Sequence, residues 1–150
     1  MTIVEHICAI EELGSDYDNF RRDTITLGWE ERRQGHGRRR SDNGIEFAIS
    51  LQGGVVLQNG HCFVLEPEKA VVTVREALEP VYVVRPETPR EWAHYAYQVG
   101  NRHQAVMIAE TELVFLQTPA VRSLLDQLHV EYVAEMRPFT AVTTAAVHSH

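Results

Sequence analysis

Histidine is the residue type in this sequence that most directly suggests chemistry. The chain of 150 residues contains eight histidines, and an imidazole can bind a divalent metal ion or exchange a proton near neutral pH. One of them, His103, ends the tetrapeptide Gly100-Asn101-Arg102-His103, which lies between a predicted helix and a predicted strand. A helix that stops at Gly100 in a tight turn would project the imidazole from a fixed backbone. His103 is therefore the first candidate metal ligand.

A single imidazole cannot hold a transition-metal ion, because such sites use about four or more donors. His103 could contribute to a site if two copies of the chain met across a symmetry axis, since every residue of such a contact occurs twice. The alternative is that His103 only packs against the turn or donates to a carbonyl group.

Two further candidate ligands, His148 and His150, flank Ser149 in the last three positions. Residues 139–150 show no hydrophobic period, which is typical of a flexible tail. Imidazoles on such a segment order only when they bind, so they hold a metal at a cost in conformational entropy. The alternative is that these two histidines have no role. Together with His103, however, they favour metal binding more than either feature does alone.

The third feature is a cluster of arginines in residues 21–40. Seven arginines and three acidic residues give this segment a charge of +4, which leaves −11 for the rest of a chain of net charge −7. Such a segment could neutralise phosphates, but Phe20 and Trp29 are the only nearby aromatics, so no platform of several rings is available for base stacking. This argues for a protein-binding or solvated surface over a nucleic-acid site. The candidate partner-binding residues are Arg32, Arg33, Arg38, Arg39 and Arg40.

Several function classes lack their sequence signals. There is no His-Glu-x-x-His, Cys-x-x-Cys, Gly-x-Ser-x-Gly or phosphate-loop motif, and no carboxylate pair stands out, so we expect no enzyme. The two cysteines, Cys8 and Cys62, cannot form a disulfide framework. His61 and Cys62 are adjacent on a predicted strand and point to opposite faces, which favours packing over metal binding. No apolar run is long enough for a membrane helix and no signal-peptide pattern begins the chain; we expect a cytoplasmic protein.

The first half of the chain has the pattern of a β domain, assigned to residues 1–77. Alternating apolar residues predict strands, and turn signals such as Asn59-Gly60 separate them. We expect six or seven short antiparallel strands. The clearest predicted strands are residues 24–30, 46–51, 61–65 and 70–75.

The second half, residues 78–139, alternates strands and helices. Thr88-Pro89 and Thr118-Pro119 each provide a helix cap followed by a proline at the first helical position. The predicted order is β-α-β-β-α-β, the ferredoxin-like arrangement, followed by a flexible tail over residues 140–150. The fold class is therefore α+β. The predicted strands are residues 80–85, 104–109, 112–116 and 130–137.

Nearly the whole chain resembles the UreE family of urease accessory proteins, which are nickel metallochaperones. The tetrapeptide Gly100-Asn101-Arg102-His103, after a tyrosine-containing helix, is the most specific part of the likeness. The other matching segments are Leu27-Gly28-Trp29-Glu30-Glu31-Arg32-Arg33, Arg38-Arg39-Arg40, Gly44, the stretch from Leu51 to Leu57, Asn59-Gly60 and Ala96-Tyr97-Gln98-Val99.

The resemblance implies a homodimer formed through the C-terminal domain. It implies that the histidine matching His103 comes from both subunits and binds Ni²⁺ at the dimer axis, while the tail supplies a further ligand, by position His148 or His150. Zn²⁺ or Cu²⁺ could replace Ni²⁺ in vitro, because neutral imidazoles suit all three ions. The implied partners are the urease apoprotein complex and the GTPase UreG, with higher oligomers possible when metal is bound.

The chain departs from the family pattern at two metal-ligand positions. Gln98 and Pro119 stand where some members of the family carry histidine, and the tail has two histidines in place of a long histidine-rich run. We therefore expect about one interfacial ion per dimer, with at most one or two weaker ones. The alternative function is a nucleic-acid- or protein-binding module that uses the arginines of residues 21–40.

Overall fold

The structure, a computed structural model, describes residues 1–142. It is a mixed α+β chain, as predicted, and it divides between Ala77 and Leu78 into two compact units. Within the described residues, no helix is both long and apolar enough to cross a membrane.

The first unit is built from seven strands, two short 3-10 turns at Ile10–Glu12 and Ser15–Tyr17, and one helical turn. Its elements are β1 (Ile3–Val4), β2 (Cys8–Ala9), β3 (Arg21–Leu27), α1 (Trp29–Arg32), β4 (His36–Arg40), β5 (Glu46–Ser50), β6 (His61–Leu65) and β7 (Ala70–Glu76).

These strands form two sheets, with the orders β1-β5-β4 and β2-β6-β7-β3. The prediction of antiparallel strands is correct for β4 with β5, β2 with β6 and β6 with β7. It is wrong for two pairs, because β1 pairs with β5 and β3 pairs with β7 in the parallel direction. The long connection between β3 and β7 allows this direction, since parallel neighbours cannot be joined by a tight hairpin.

The core of the first unit follows from the alternation of apolar residues along its strands. Phe47 and Phe63 are fully buried and their ring centroids lie 5.4 Å apart. Leu65 and Val72 are also fully buried in the same cluster. Two packed aromatic rings of this kind bury a large apolar area. They therefore stabilise the packing of β5 against β6.

The predicted strand 24–30 ends at Leu27, and this correction has a local cause. The carboxylate of Glu31 accepts a hydrogen bond from the Gly28 N–H, and the Gly28 carbonyl accepts one from the Arg32 N–H. These bonds begin the short helix α1. Trp29 is therefore helical, although it is buried as the strand pattern suggested.

The second unit has the predicted β-α-β-β-α-β order. Its single antiparallel sheet has the strand order β11-β8-β10-β9, which is the order of a ferredoxin-like fold. The elements are β8 (Glu79–Val84), α2 (Pro89–Asn101), β9 (Met107–Ile108), β10 (Leu113–Leu116), α3 (Pro119–Gln127) and β11 (Val133–Arg137).

Both helices of this unit begin as the sequence predicts. The Thr88 side chain accepts a hydrogen bond from the Glu91 N–H at 3.1 Å, and Thr118 accepts one from Val121 at 3.2 Å. Each threonine caps a donor that the first turn of a helix leaves without a partner. The buried faces of the helices pack with strand residues in one cluster that includes Val84, Val99, Phe115, Val121, Leu124 and Leu125.

The first residues of the predicted tail, up to Val142, make contacts within the second unit. Phe139 is fully buried, Ala141 is buried, and the Val142 N–H donates to the Val106 carbonyl at 2.8 Å. Phe139 and Ala141, which belong to no periodic apolar pattern, are therefore buried individually. The rest of the predicted tail, including His148 and His150, lies outside the described residues.

Candidate metal-binding site

His103 occupies the position at which helix α2 is closed. The helix continues through Gly100 to Asn101, so the predicted stop at Gly100 is wrong. Instead, the Gln104 N–H donates to the Val99 carbonyl at 3.2 Å and the His103 N–H donates to the Gly100 carbonyl at 3.0 Å. This pair of bonds is a Schellman motif, in which the residue before the last donor takes the left-handed conformation. That residue is His103, with φ of 52°.

The left-handed backbone at His103 is unusual because glycine normally fills this position. A side chain there costs about 1–2 kcal/mol relative to a right-handed residue. The two hydrogen bonds around it fix the direction in which its Cβ leaves the chain. The imidazole itself is exposed, and within residues 1–142 it makes no hydrogen bond or ion pair. The side chain is thus held at its base and accessible at its tip.

Helix α3 ends in the same way. The His129 N–H donates to the Asp126 backbone carbonyl at 3.2 Å, and the Val130 N–H donates to the Leu125 carbonyl at 3.2 Å. His129 has φ of 54°. The ferredoxin-like unit therefore contains two matched halves, each with a Thr-Pro start and a left-handed histidine after the helix. His129 provides an internal comparison for any effect that comes from the backbone rather than from the imidazole of His103.

Exposed apolar side chains lie on the segments before and after His103. Tyr97, in the preceding part of α2, is 67% exposed, and Ile108, on β9, is 54% exposed. Val142 is 58% exposed, and its backbone is bonded beside β9 at Val106. In the same region, the Arg102 guanidinium donates to the Gln127 side chain at 2.9 Å. Ala96, next to Tyr97 on α2, is also exposed.

The donor count defines what His103 can do. Across residues 1–142, no group of three or more histidine, cysteine, aspartate or glutamate side chains is placed to hold a metal ion. His103 therefore offers one ligand of a set that the described part of a single chain does not complete. The other two predicted ligands, His148 and His150, fall outside that part.

Two other histidines have neighbours within the first unit. The Gln58 N–H donates to Nδ1 of His61 at 3.0 Å, so this ring nitrogen accepts a backbone hydrogen bond. Nδ1 of His36 lies 3.4 Å from the Ser50 hydroxyl. His6 and His94 are exposed.

Arg32 is wrongly predicted as a partner-binding residue, because it is fully buried. Its guanidinium lies 3.5 Å from the Glu76 carboxylate and donates to the Leu57 carbonyl at 3.3 Å. It also stands 5.7 Å from the ring centre of Trp29. A buried guanidinium needs such partners to offset its lost hydration. Arg32 is therefore part of the core of the first unit.

The other four predicted partner-binding arginines differ in accessibility. Arg33, Arg38 and Arg40 are exposed, and the last two lie two positions apart on β4, so they share one face of the strand. Arg39, between them, is half-buried, and its guanidinium donates to the backbone carbonyls of Arg38 and Gln34 at 2.8 and 3.0 Å. Within the described sheet, β4 is an end strand, so Arg38 and Arg40 lie at a sheet edge.

Taken together, the structure defines a class: a two-unit α+β protein that displays a histidine at the end of the first helix of its ferredoxin-like unit. Comparison with known proteins gives the family. The UreE urease accessory protein N-terminal domain matches residues 3–75, and the C-terminal domain of the same family matches residues 79–150. The chain belongs to the UreE urease accessory protein family.

Individual relatives agree with this assignment. The protein named urease accessory protein UreE of Chelativorans sp. is 36% identical over 129 residues, which cover 85% of this chain and 81% of the relative. The protein of the same name from Lysinibacillus sphaericus is 32% identical over 126 residues, 84% of each chain. That of Halalkalibacterium halodurans is 28% identical over 129 residues.

Proposed function

We propose that this chain is a homodimeric nickel metallochaperone that binds Ni²⁺ at its dimer interface and delivers the ion to apo-urease during maturation of the active site. Membership of the UreE family supports the role in urease maturation. The observation that carries the proposal is His103 itself: an exposed imidazole on a backbone fixed by two hydrogen bonds, with no partner among residues 1–142. Nickel is here the cargo of the protein.

The dimer supplies the donors that one chain lacks. A symmetric contact places two copies of each residue about one axis, so His103 from both subunits gives two imidazoles. The exposed Tyr97, Ile108 and Val142 lie on segments before and after His103 or bonded beside them, and they are apolar side chains that such an interface would cover. His148 or His150 would then complete the ligand set.

An open ligand set suits transfer of an ion better than catalysis. Two interfacial imidazoles leave positions on the metal that ligands of a partner can attack, whereas a structural site is closed by four protein donors. Neutral imidazoles also bind Zn²⁺ and bind Cu²⁺ more tightly than Ni²⁺. Selectivity for nickel would therefore come from metal supply and from the docked partner. We propose no enzymatic activity.

The proposed partners are the urease apoprotein complex and the GTPase UreG, in the cytoplasm. Of the five predicted partner-binding arginines, Arg33, Arg38 and Arg40 are exposed and could be reached by a partner. An acidic partner surface would fit them, and reversing the charge of Arg38 and Arg40 should weaken that complex. The alternative, a nucleic-acid module, predicts binding that falls steeply with salt. Absence of a complex with duplex or single-stranded probes at low salt would exclude it.

Calorimetric titration with Ni²⁺ tests the metal site. The wild type should bind about one ion tightly per dimer, and His103→Ala should lose that tight site. His129→Ala is the matched control, because it makes the same change at the equivalent left-handed position after α3. We expect it to bind nickel as the wild type does. Equal tight binding by His103→Ala and the wild type would contradict the interfacial model.

A further inference from the structure

Cys8 and Cys62 face each other in the first unit, although they are far apart in sequence. Strand β2 pairs with β6 in the antiparallel direction, with Cys8 opposite Cys62 and Ala9 opposite His61. The two sulfur atoms are 3.2 Å apart, and both thiols are free. The sequence indicated only two isolated cysteines, so this contact is created by the pairing of β2 with β6.

The geometry of this pair suits a covalent bond. Residues directly opposite one another in antiparallel strands have Cα atoms about 4.5–5.5 Å apart. Disulfides span Cα separations of about 4.4–6.8 Å, with an S–S bond of about 2.05 Å. The sulfurs would therefore need to approach by only about 1 Å, with no change of strand register.

We propose that Cys8 and Cys62 form a reversible disulfide by exchange with a small-molecule disulfide such as oxidised glutathione. The Cys8 thiol loses its proton and its sulfur attacks one glutathione sulfur, which releases the first glutathione, now reduced and protonated. The Cys62 thiol then loses its proton, and its sulfur attacks that of Cys8, which forms the internal bond and releases the second glutathione. The protein loses two electrons and two protons, and the oxidant gains them.

The surroundings of the two thiols set this order of attack. Cys8 is half-buried and reaches solvent, whereas Cys62 is fully buried. Burial, together with the contact with Cys8, raises the pKa of the Cys62 thiol to about 12. Because the thiolate is the attacking species, the external disulfide reacts first at Cys8, and Cys62 follows at a slower rate.

The bond would tie down the beginning of the chain. Strand β2 contributes only two residues to its sheet, so the segment around it depends on few backbone bonds. A link from Cys8 to β6 would hold residues near β2 against opening. Nothing in this proposal depends on the metal site, which lies in the other unit.

The test uses the full-length protein in buffers of fixed oxidised-to-reduced glutathione ratio, quenched with an alkylating agent. Intact mass should fall by about 2 Da as both thiols disappear together, and dithiothreitol should restore both. Peptide mapping should find Cys8 linked to Cys62 in one chain. Stable glutathione adducts without the internal link, or links between chains only, would overturn the proposal.

A register control sharpens this result. The double variant Cys8→Ser, Ala9→Cys keeps two cysteines but moves one thiol to the opposite face of β2. It should form no internal link under the same conditions. Hydrogen exchange on the wild type provides a second measurement, in which amides near β2 should exchange more slowly in the oxidised form. Equal linking in the double variant would show that chain flexibility, and not the paired geometry, brings the sulfurs together.

Discussion

Replacing His103 with glycine should make the metal-free protein more stable while it removes the proposed nickel ligand. His103 holds φ of 52° at the closing position of α2, where a residue with a Cβ is strained and glycine is not. The same substitution that damages metal binding should therefore relieve the fold. Alanine at this position keeps the Cβ and should give no such relief.

The size of the effect follows from two opposing contributions. The left-handed conformation costs a residue with a side chain about 1–2 kcal/mol. Glycine also increases the conformational entropy of the unfolded chain, which lowers the free energy of unfolding by about 0.4–1 kcal/mol. With the middle of each range, the net gain for His103→Gly over His103→Ala is about 0.8 kcal/mol. With a urea m value of about 1–3 kcal/mol per molar, the midpoint should rise by about 0.2–1 M.

The assay is urea unfolding followed by circular dichroism, in the presence of a chelator so that bound metal adds no stability. His129→Gly should show a similar gain, because it occupies the equivalent position after α3, yet it should keep nickel binding. If His103→Gly unfolds at the same midpoint as His103→Ala, the backbone of His103 is not strained and the argument from φ fails.

Three further predictions concern charged side chains. Arg32→Ala should lower the free energy of unfolding in urea by about 3 kcal/mol, because it removes the buried guanidinium that pairs with Glu76. The control Arg33→Ala, at an exposed position, should change it by less than about 0.5 kcal/mol. Burial tends to raise the pKa of Asp23, but hydrogen bonds from Ser41, Thr24 and Asn43 outweigh this effect and lower the pKa. Asp23→Asn should therefore lower the free energy of unfolding by about 1–2 kcal/mol at pH 7. This difference from the wild type should shrink below about pH 4, because the wild-type carboxylate is then protonated. The Arg137 guanidinium lowers the pKa of Glu112, so Glu112→Gln should lower the thermal midpoint at pH 7 but have less effect in acid, and an equal effect at both pH values would contradict this assignment.

The sequence predicts those elements whose signals are local. Residues 61–65 match β6, because two-residue alternation marks a half-buried strand. The Thr88 and Thr118 caps also lie where predicted, since capping needs only the next three residues. Features that depend on distant partners were missed, such as the parallel pairing of β3 with β7.

The site residues show the same limit. Its residue type and its place after a helix predict His103 as a ligand, and the structure shows the turn that holds it. The pattern predicts the turn at Gly100, because glycine is the usual left-handed residue, whereas in the structure the left-handed residue is His103. Arg32 is predicted to bind a partner because it lies in the arginine-rich segment 21–40, and arginine is rarely buried. Only the fold reveals the Glu76 carboxylate and the Leu57 carbonyl that surround it.

The hydrogen bond from Val142 to Val106 has a consequence for the rate at which a metal ion could be passed on. The bond holds Val142 at Val106, which is three residues after His103 in the chain. His148 follows Val142 by six residues. A segment of six residues reaches at most about 20 Å. For the proposed tail ligand His148, this length is an upper limit on its distance from Val142, and a ligand joined to a site by so few residues has an effective concentration in the millimolar range. In the proposed site, this ligand would leave and rebind as a first-order event, so a partner could compete for nickel at each departure while the ion stays with the dimer until it is captured.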